Sequence, residues 1–322
     1  MQIRRLLAAV GAVLALAAAL PASAAYPERP IRLVVPWPAG GSSDAAARLV
    51  ARHLQERLQQ TVLVDNKAGA SGDIGAAEVA RAAPDGSTLL LSSGPFSINP
   101  SLYRSLPFDT LKDFVPVASI ASIPSVLVVN TSSPVHTMQE FLALARNPST
   151  PMTVATPGNG SAQHLALELL RKKAGLSILH VPYKGGAPAL NDVLGSQVPA
   201  MMSGFPEVSA YTKAGRLRPL AVTTPTRSAF LPNVPSLIEL GLADSGTAGW
   251  NGIHAPARTA PEIVSRLHAE VNAVLEIPEV RDQLAALGFE VRRSSQQEFA
   301  SFVTQQIARW KEAVVLSGAR VD

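Results

Sequence analysis

Four segments of this 322-residue chain gather small and hydroxyl-bearing residues of the kind that can hold an anion without a charge. They run over 36–44, 92–99, 155–164 and 182–187, each after a short apolar run and before a helical pattern. Glycine lets a backbone approach a bound molecule closely, and a helix start behind it offers free N–H groups and the positive end of a dipole. Ser42, Ser43, Ser93, Ser97 and Ser161 add hydroxyl donors, while Lys184 is the one Lys or Arg across the four segments. A polyphosphate would call for more positive charge, so the set suits a small carboxylate. Trp37 and Tyr183 are large aromatics inside these segments, placed either to wall a ligand or to pack against their own lobe. If N–H dipoles dominate, a side chain at Gly41 is expected to block the site, and loss of Lys184 to be mild.

Enzyme signatures are largely missing. The chain has no G-x-S-x-G, no G-x-x-x-x-G-K-[ST] and no H-E-x-x-H. Gly158-Asn159-Gly160-Ser161-Ala162-Gln163 begins like a dinucleotide loop, but Gln163 stands where the third glycine belongs. The six histidines never recur at i+3 or i+4 and cysteine is absent, so neither a metal site nor a disulfide is expected. Ser161 with His164 is the only neighbouring nucleophile–base candidate, which keeps a periplasmic serine hydrolase open as an alternative. No catalytic residue and no cofactor are otherwise indicated.

The elements that would position these segments alternate. Strands are expected over 31–35, 61–64 and 88–91, with helices after Ser42 or Ser43 as cap and over 74–83. Asp44 favours the first turn of the first helix, whose apolar face is Ala46, Leu49, Val50, Leu54 and Leu58. This βαβαβ order implies a parallel sheet with right-handed crossovers. A second set follows, with strands over 126–129, 152–155, 178–181, 200–202 and 219–222, and helices over 138–146, 162–174, 187–194 and 208–214. Beyond 250–254 the pattern is wholly helical, with Ile263, Leu267, Val271 and Val274 on one face and Phe299, Phe302, Val303, Ile307 and Trp310 on another. Lacking strands of their own, these helices are expected to return to the first sheet. The fold class is therefore α/β in two lobes: 25–124 plus 249–322, and 125–248. Two strands crossing between the lobes leave a cleft at the carboxyl edges of both sheets, and such a cleft can close about a hinge.

Composition agrees with a globular chain, at 47% hydrophobic and 16% charged residues. A formal charge of +4 spread along the sequence, with aromatics at 5%, gives no basic stripe with stacking rings, so nucleic acid is excluded as a partner. Residues 1–24 have the form of an export signal: Arg4 and Arg5, an apolar run over 6–20, then Ala22-Ser23-Ala24. That run is shorter than the ~20 residues a membrane span needs. No cysteine follows to take a lipid. A periplasmic protein, free of its signal and monomeric, is expected.

The motifs also fall in a known order. Tyr26-Pro27, Pro30-Ile31, Leu33-Val34-Val35-Pro36-Trp37-Pro38-Ala39-Gly40-Gly41 and Asp44 resemble the opening of the substrate-binding proteins of tripartite tricarboxylate transporters, the Bug family. The likeness continues through Ala83-Pro84-Asp85-Gly86, Asn99-Pro100-Ser101-Leu102-Tyr103, Gly158-Asn159-Gly160-Ser161, His180-Val181-Pro182-Tyr183-Lys184-Gly185, Leu220-Ala221-Val222-Thr223 and Leu231-Pro232-Asn233-Val234-Pro235. It covers essentially the whole chain after the signal. The resemblance implies a two-lobed periplasmic binding protein of the Venus-flytrap type (type II), without catalysis, feeding a membrane permease with large and small subunits. A receptor for a sensor kinase would share the sequence. Carried over by position, the family's ligand contacts fall on Trp37, Ala39, Gly40, Gly41, Ser42, Ser93, Gly160, Ser161, Ala162, Tyr183 and Gly185. Trp37 stands where phenylalanine is common, Pro95 and Pro157 each remove an N–H donor, and 201–205 departs toward apolar residues. These departures favour an aromatic or aliphatic mono- or dicarboxylate over an amino acid or citrate.

Overall fold

The structure, a computed structural model, describes residues 26–243 and 246–319. The expected export signal lies outside them. The first sheet begins with β1 (Ile31–Val35), paired in parallel with β2 (Val62–Asn66) and β3 (Thr88–Ser93). Between these strands run α1 (Ser42–Leu58) and α2 (Asp73–Ala80). The strands are β-branched and leucine-rich, and β3 is buried along its whole length, as a parallel strand covered on both faces must be. Where a loop over 92–99 was expected, β3 runs on to Ser93 and a helix, α3 (Gly94–Leu102), starts at once. Pro95 sits in its first turn, where its missing N–H has no intrahelical partner to lose.

The chain then forms β4 (Phe114–Ile123), turns at Pro124, and enters the second sheet as β5 (Ser125–Asn130). Next come α4 (Met138–Ala145), β6 (Met152–Thr156), α5 (Ala162–Ala174), β7 (Ile178–Pro182), α6 (Gly186–Leu194), β8 (Ala200–Gly204), α7 (Phe205–Lys213) and β9 (Leu217–Val222). The chain returns to the first sheet through β10 (Gly249–Pro256), antiparallel to both β3 and β4. With a short last strand, β11 (Glu290–Val291), the sheets are ordered β11-β4-β10-β3-β1-β2 and β7-β6-β8-β5-β9, so β4 and β10 lie side by side where the chain passes between lobes.

Three helices close the chain: α8 (Pro261–Glu276), α9 (Pro278–Ala286) and α10 (Gln296–Ser317). The region is not wholly helical, because β11 (Glu290–Val291) adds a two-residue edge to β4. Val264, Leu267, Val271 and Val274 of α8 join the core against the first sheet, with Ile263 half-buried beside them. α10 does more than return to that sheet. Trp310, Ala313 and Val314 pack with Ile98 and Leu102 of α3 and with Ala162 and Leu165 of α5, forming one apolar cluster across both lobes. Several fully buried leucine-sized side chains are worth roughly 1.5–3 kcal/mol each against water. The seam is therefore a substantial contact.

Candidate functional site

Between the carboxyl edges of the two sheets lies a cavity of about 480 Å³. Five helices start on it. Ser42 and Ser43 open α1, Gly94 and Pro95 open α3, Ala162 and Gln163 open α5, Gly186 opens α6, and Pro206 and Glu207 open α7, and all line the space. A helix leaves its first N–H groups without intrahelical partners. Only α5 of the five has a side-chain cap, the Ser161 hydroxyl accepting from His164 N–H at 3.1 Å. At α7 little is left over, since Phe205 N–H donates to Pro124 O at 2.7 Å and Pro206 has no N–H. The other four starts, α1, α3, α5 and α6, aim donors and dipole ends at one place.

The first lobe fixes its loop with charge. Gly41, not a serine, caps α1, and Ser42 and Ser43 are its first helical residues. Asp44 reaches back instead. Its buried carboxylate accepts from Gly40 N–H (2.9 Å), Arg48 Nε (3.0 Å) and Asn66 Nδ2 (2.9 Å), and Asn66 Nδ2 also donates to Trp37 O at 3.0 Å. Desolvation pushes this carboxyl up, but the bonds from Arg48, Gly40 and Asn66 outweigh it and hold it below the ordinary aspartate value. The Trp37 indole N–H donates to Ser93 Oγ at 3.2 Å, joining the ends of β1 and β3.

The second lobe offers backbone. Gly158 and Gly160 have φ of 152° and 72°, and Gly185 has 113°. A Cβ on Gly160 would overlap the Leu102 side chain from the facing lobe. Behind this floor, the rings of His164 and His180 stack 4.1 Å apart. His164 Nδ1 accepts from Gly160 N–H at 3.1 Å, and His180 Nε2 meets Thr156 Oγ1 at 2.7 Å. Burial depresses both imidazoles to about 4, helped at His164 by Arg171 and at His180 by His164 itself. The pair is neutral and structural. Ser161 Oγ donates to Gly158 O at 2.8 Å, and His164 Nδ1 is already occupied, so the two do not form a nucleophile–base pair.

Of the eleven ligand contacts expected from sequence, the cavity is lined by Trp37, Ser42, Ser93, Gly160, Ser161, Ala162 and Gly185. Ala39, Gly40 and Gly41 do not line it; they are exposed beside it, and the Gly40 N–H is already given to Asp44. Tyr183 does not line it either. Its hydroxyl donates to Asp192 at 2.5 Å, a bond that with burial pushes the phenol to about 12. Lys184 is exposed and outside the lining, and Ser97 is buried, donating to Gly94 O at 2.8 Å. The apolar wall expected over 201–205 is also corrected, since Met201 and Met202 are fully buried in the core and the lining there is Gly204, Pro206 and Glu207. Asn99, Asn159, Gln163, Trp250 and Glu207 were missed. For Glu207 the available signal was its place just past a strand end in the first turn of a helix. Among the described residues no cluster suited to a metal ion occurs, and no helix is long and apolar enough to cross a membrane.

Comparison with known proteins agrees with this architecture. Residues 46–318 match the family described as "Tripartite tricarboxylate transporter family receptor". Protein BugT of Bordetella pertussis is 38% identical over 325 residues, covering 100% of both chains. Among solved structures, Rpa4515 of R. palustris with adipate superposes with a TM-score of 0.82 at 35% identity, covering 92% of this chain and 100% of that one. MatC from Rhodopseudomonas palustris with bound malate gives 0.77 at 30% identity, covering 90% and 100%. This chain belongs to the tripartite tricarboxylate transporter family of receptors, the two-lobed α/β substrate-binding proteins of the Bug type.

Proposed function

We propose that the chain is a periplasmic receptor that captures a small organic carboxylate between its lobes and delivers it to a membrane permease with large and small subunits. The observation that carries this reading is the convergence of helix starts on a cavity whose lining includes no Lys, Arg or His. Such a site binds an anion through N–H groups and hydroxyls, with no charged partner to desolvate. Adipate and malate in the R. palustris relatives are ligands of that class. The lobes 25–124 plus 249–322 and 125–248 would act as the moving units, closing about the adjacent strands β4 and β10. The protein works as a monomer and does no chemistry on what it holds.

Native mass spectrometry of freshly purified protein would identify what co-purifies, and calorimetry with that acid would measure it. A carboxylate bound at one per chain is the expected result. A ligand at a hundredfold excess over Kd should stabilise the protein by about 2.7 kcal/mol. Small-angle scattering should show a smaller radius with ligand, and an unchanged profile at saturation would count against closure. A co-purified molecule without a carboxylate would overturn the proposal. Capture of the loaded protein by permease subunits, rather than by a sensor kinase, would support delivery.

A further inference from the structure

Among the described residues that line the cavity, Glu207 alone carries a charged side chain. It is the third residue of α7, after the cap Gly204, and its carboxylate accepts from Ser203 Oγ at 2.6 Å and from the Gly204 backbone. Those bonds make half of a capping box, which explains why the residue is ordered but not why it faces the ligand space. Gly186, the first residue of α6, is what makes room for it. A Cβ there would overlap both carboxylate oxygens of Glu207, so the acid lies directly against the start of a second helix. The residue as a whole is exposed to the cleft, yet the surrounding walls desolvate its carboxyl and raise it above the ordinary glutamate value, against the opposing bonds from Ser203 and Gly204. Because Glu207 lies against the start of α6, the helix starts left to an anion are those of α1, α3 and α5, with one acid at α7 and no basic side chain among the lining residues.

We propose that Glu207 selects the end of the ligand away from its bound carboxylate, favouring a monocarboxylate that carries a hydrogen-bond donor there, an ammonium above a hydroxyl, over a dicarboxylate. This rests on the carboxylate reading above. A second carboxylate beside Glu207 would meet a like charge at short range in a partly desolvated site, with no cation to balance either. An ammonium would meet the oxygen lone pairs that Ser203 and Gly204 leave open. On this account the chain parts from the relatives seen with adipate and malate, and the expectation from sequence of a mono- or dicarboxylate over an amino acid is reversed by the acid in the lining.

The test is calorimetry at neutral pH on the purified mature chain with matched acids: adipate, ε-aminocaproate, ε-hydroxycaproate and caproate, then succinate and γ-aminobutyrate. The amino acid should bind at least about tenfold tighter than the dicarboxylate of equal length, with the hydroxy acid between them. Glu207→Gln keeps the capping hydrogen bond and removes the charge, so its thermal midpoint should hold while that ratio collapses to about threefold or less. A dicarboxylate that binds wild type as tightly as its amino counterpart, or a ratio unchanged in E207Q, overturns the inference and leaves the carboxylate reading standing. Failure of every acid to bind either folded protein at millimolar concentration overturns both.

Discussion

The two walls of the cavity reach the same end by opposite means. The first lobe's wall is made of side chains locked by other side chains: Trp37 held by Ser93 and Asn66, and the loop behind it held by Asp44 and Arg48. The second lobe's wall is made of side chains left out, with Gly158, Gly160 and Gly185 in left-handed or related conformations and Gly186 flush against a neighbour. Both present helix N–H groups to one space. The first wall should break when a polar partner is lost, and the second when a Cβ is gained.

Gly160→Ala gives the largest expected effect. The left-handed backbone costs an L residue roughly 1–2 kcal/mol, and overlap with Leu102 in a packed seam adds about 1–3. A loss of about 2–4 kcal/mol in denaturant unfolding, with weakened ligand binding, is expected. Gly41→Ala on the other wall should stay within about 0.5 kcal/mol. Its φ is −77°, its Cβ would meet only Pro38 O at 3.6 Å, and it does not line the cavity. The sequence expectation that a side chain at Gly41 blocks the site is therefore reversed. Equal tolerance at both glycines would erase the contrast between the walls.

Asp44→Asn should be the corresponding lesion on the first wall. It replaces hydrogen bonds to an ionised acceptor, each worth roughly 1.5–3 kcal/mol, by weaker neutral ones, and it sets an amide N–H against Arg48 or Gly40. A stability loss of about 2 kcal/mol is expected, together with looser ligand binding as Trp37 loses its support. Because the folded carboxyl is held below its unfolded value, this contribution is full above that unfolded value, about pH 4, and fades as pH falls through the folded one. An Asp44→Asn variant with wild-type stability and affinity would mean the network is ornamental.

The same contrast explains what the sequence made legible. The helix expected over 162–174 occupies that span in the structure, between a Ser161 cap and Gly175. Local rules are enough for such an element. β4 was invisible because Phe114–Ile123 contains Pro116 and a run of Ala and Ser, and it is held by antiparallel pairing with β10, distant in sequence. α3 passed as a loop because Gly94, Pro95 and Pro100 look like breakers, whereas Pro95 fits a first turn. At the site, glycine and serine marked the starts of α1, α5 and α6, but not those of α3 and α7. They could not show which N–H groups were already spent, as Gly40's is on Asp44, or that the chain folds Glu207 into the cavity while turning Tyr183 toward Asp192.

The histidine pair makes the second wall sensitive to acid above the range in which Asp44 acts. Folded His164 and His180 titrate at about 4 against 6.5 in the unfolded chain, so the unfolded chain binds more protons between those values. Stability should be full above about pH 6.5 and fall as pH drops toward 4, by up to ~1.4 kcal/mol per pH unit for a well-buried imidazole. His180 is half-exposed and contributes less. Urea unfolding between pH 7 and 5 would measure the slope, and a flat profile would show that the stacked rings are hydrated enough to keep ordinary values.

Lys184→Ala should have the smallest effect, and its smallness is informative. Lys184 lies between Tyr183 and Gly185 at the second wall, close enough in sequence to suggest a charged clamp on the ligand. Its side chain is exposed and outside the cavity lining. A direct pairing with the carboxylate would make the substitution cost about ten- to a hundredfold in Kd. An exposed charge acting only through solvent is screened over about 8–10 Å, which leaves a change of about threefold or less. Calorimetry at low and high salt separates the two accounts, because a charge clamp weakens with salt and contacts made by N–H groups inside a cavity scarcely do. If Lys184→Ala proves more damaging than Gly160→Ala on folded protein, then charge holds the ligand, and the bare backbone of the second wall has some other purpose.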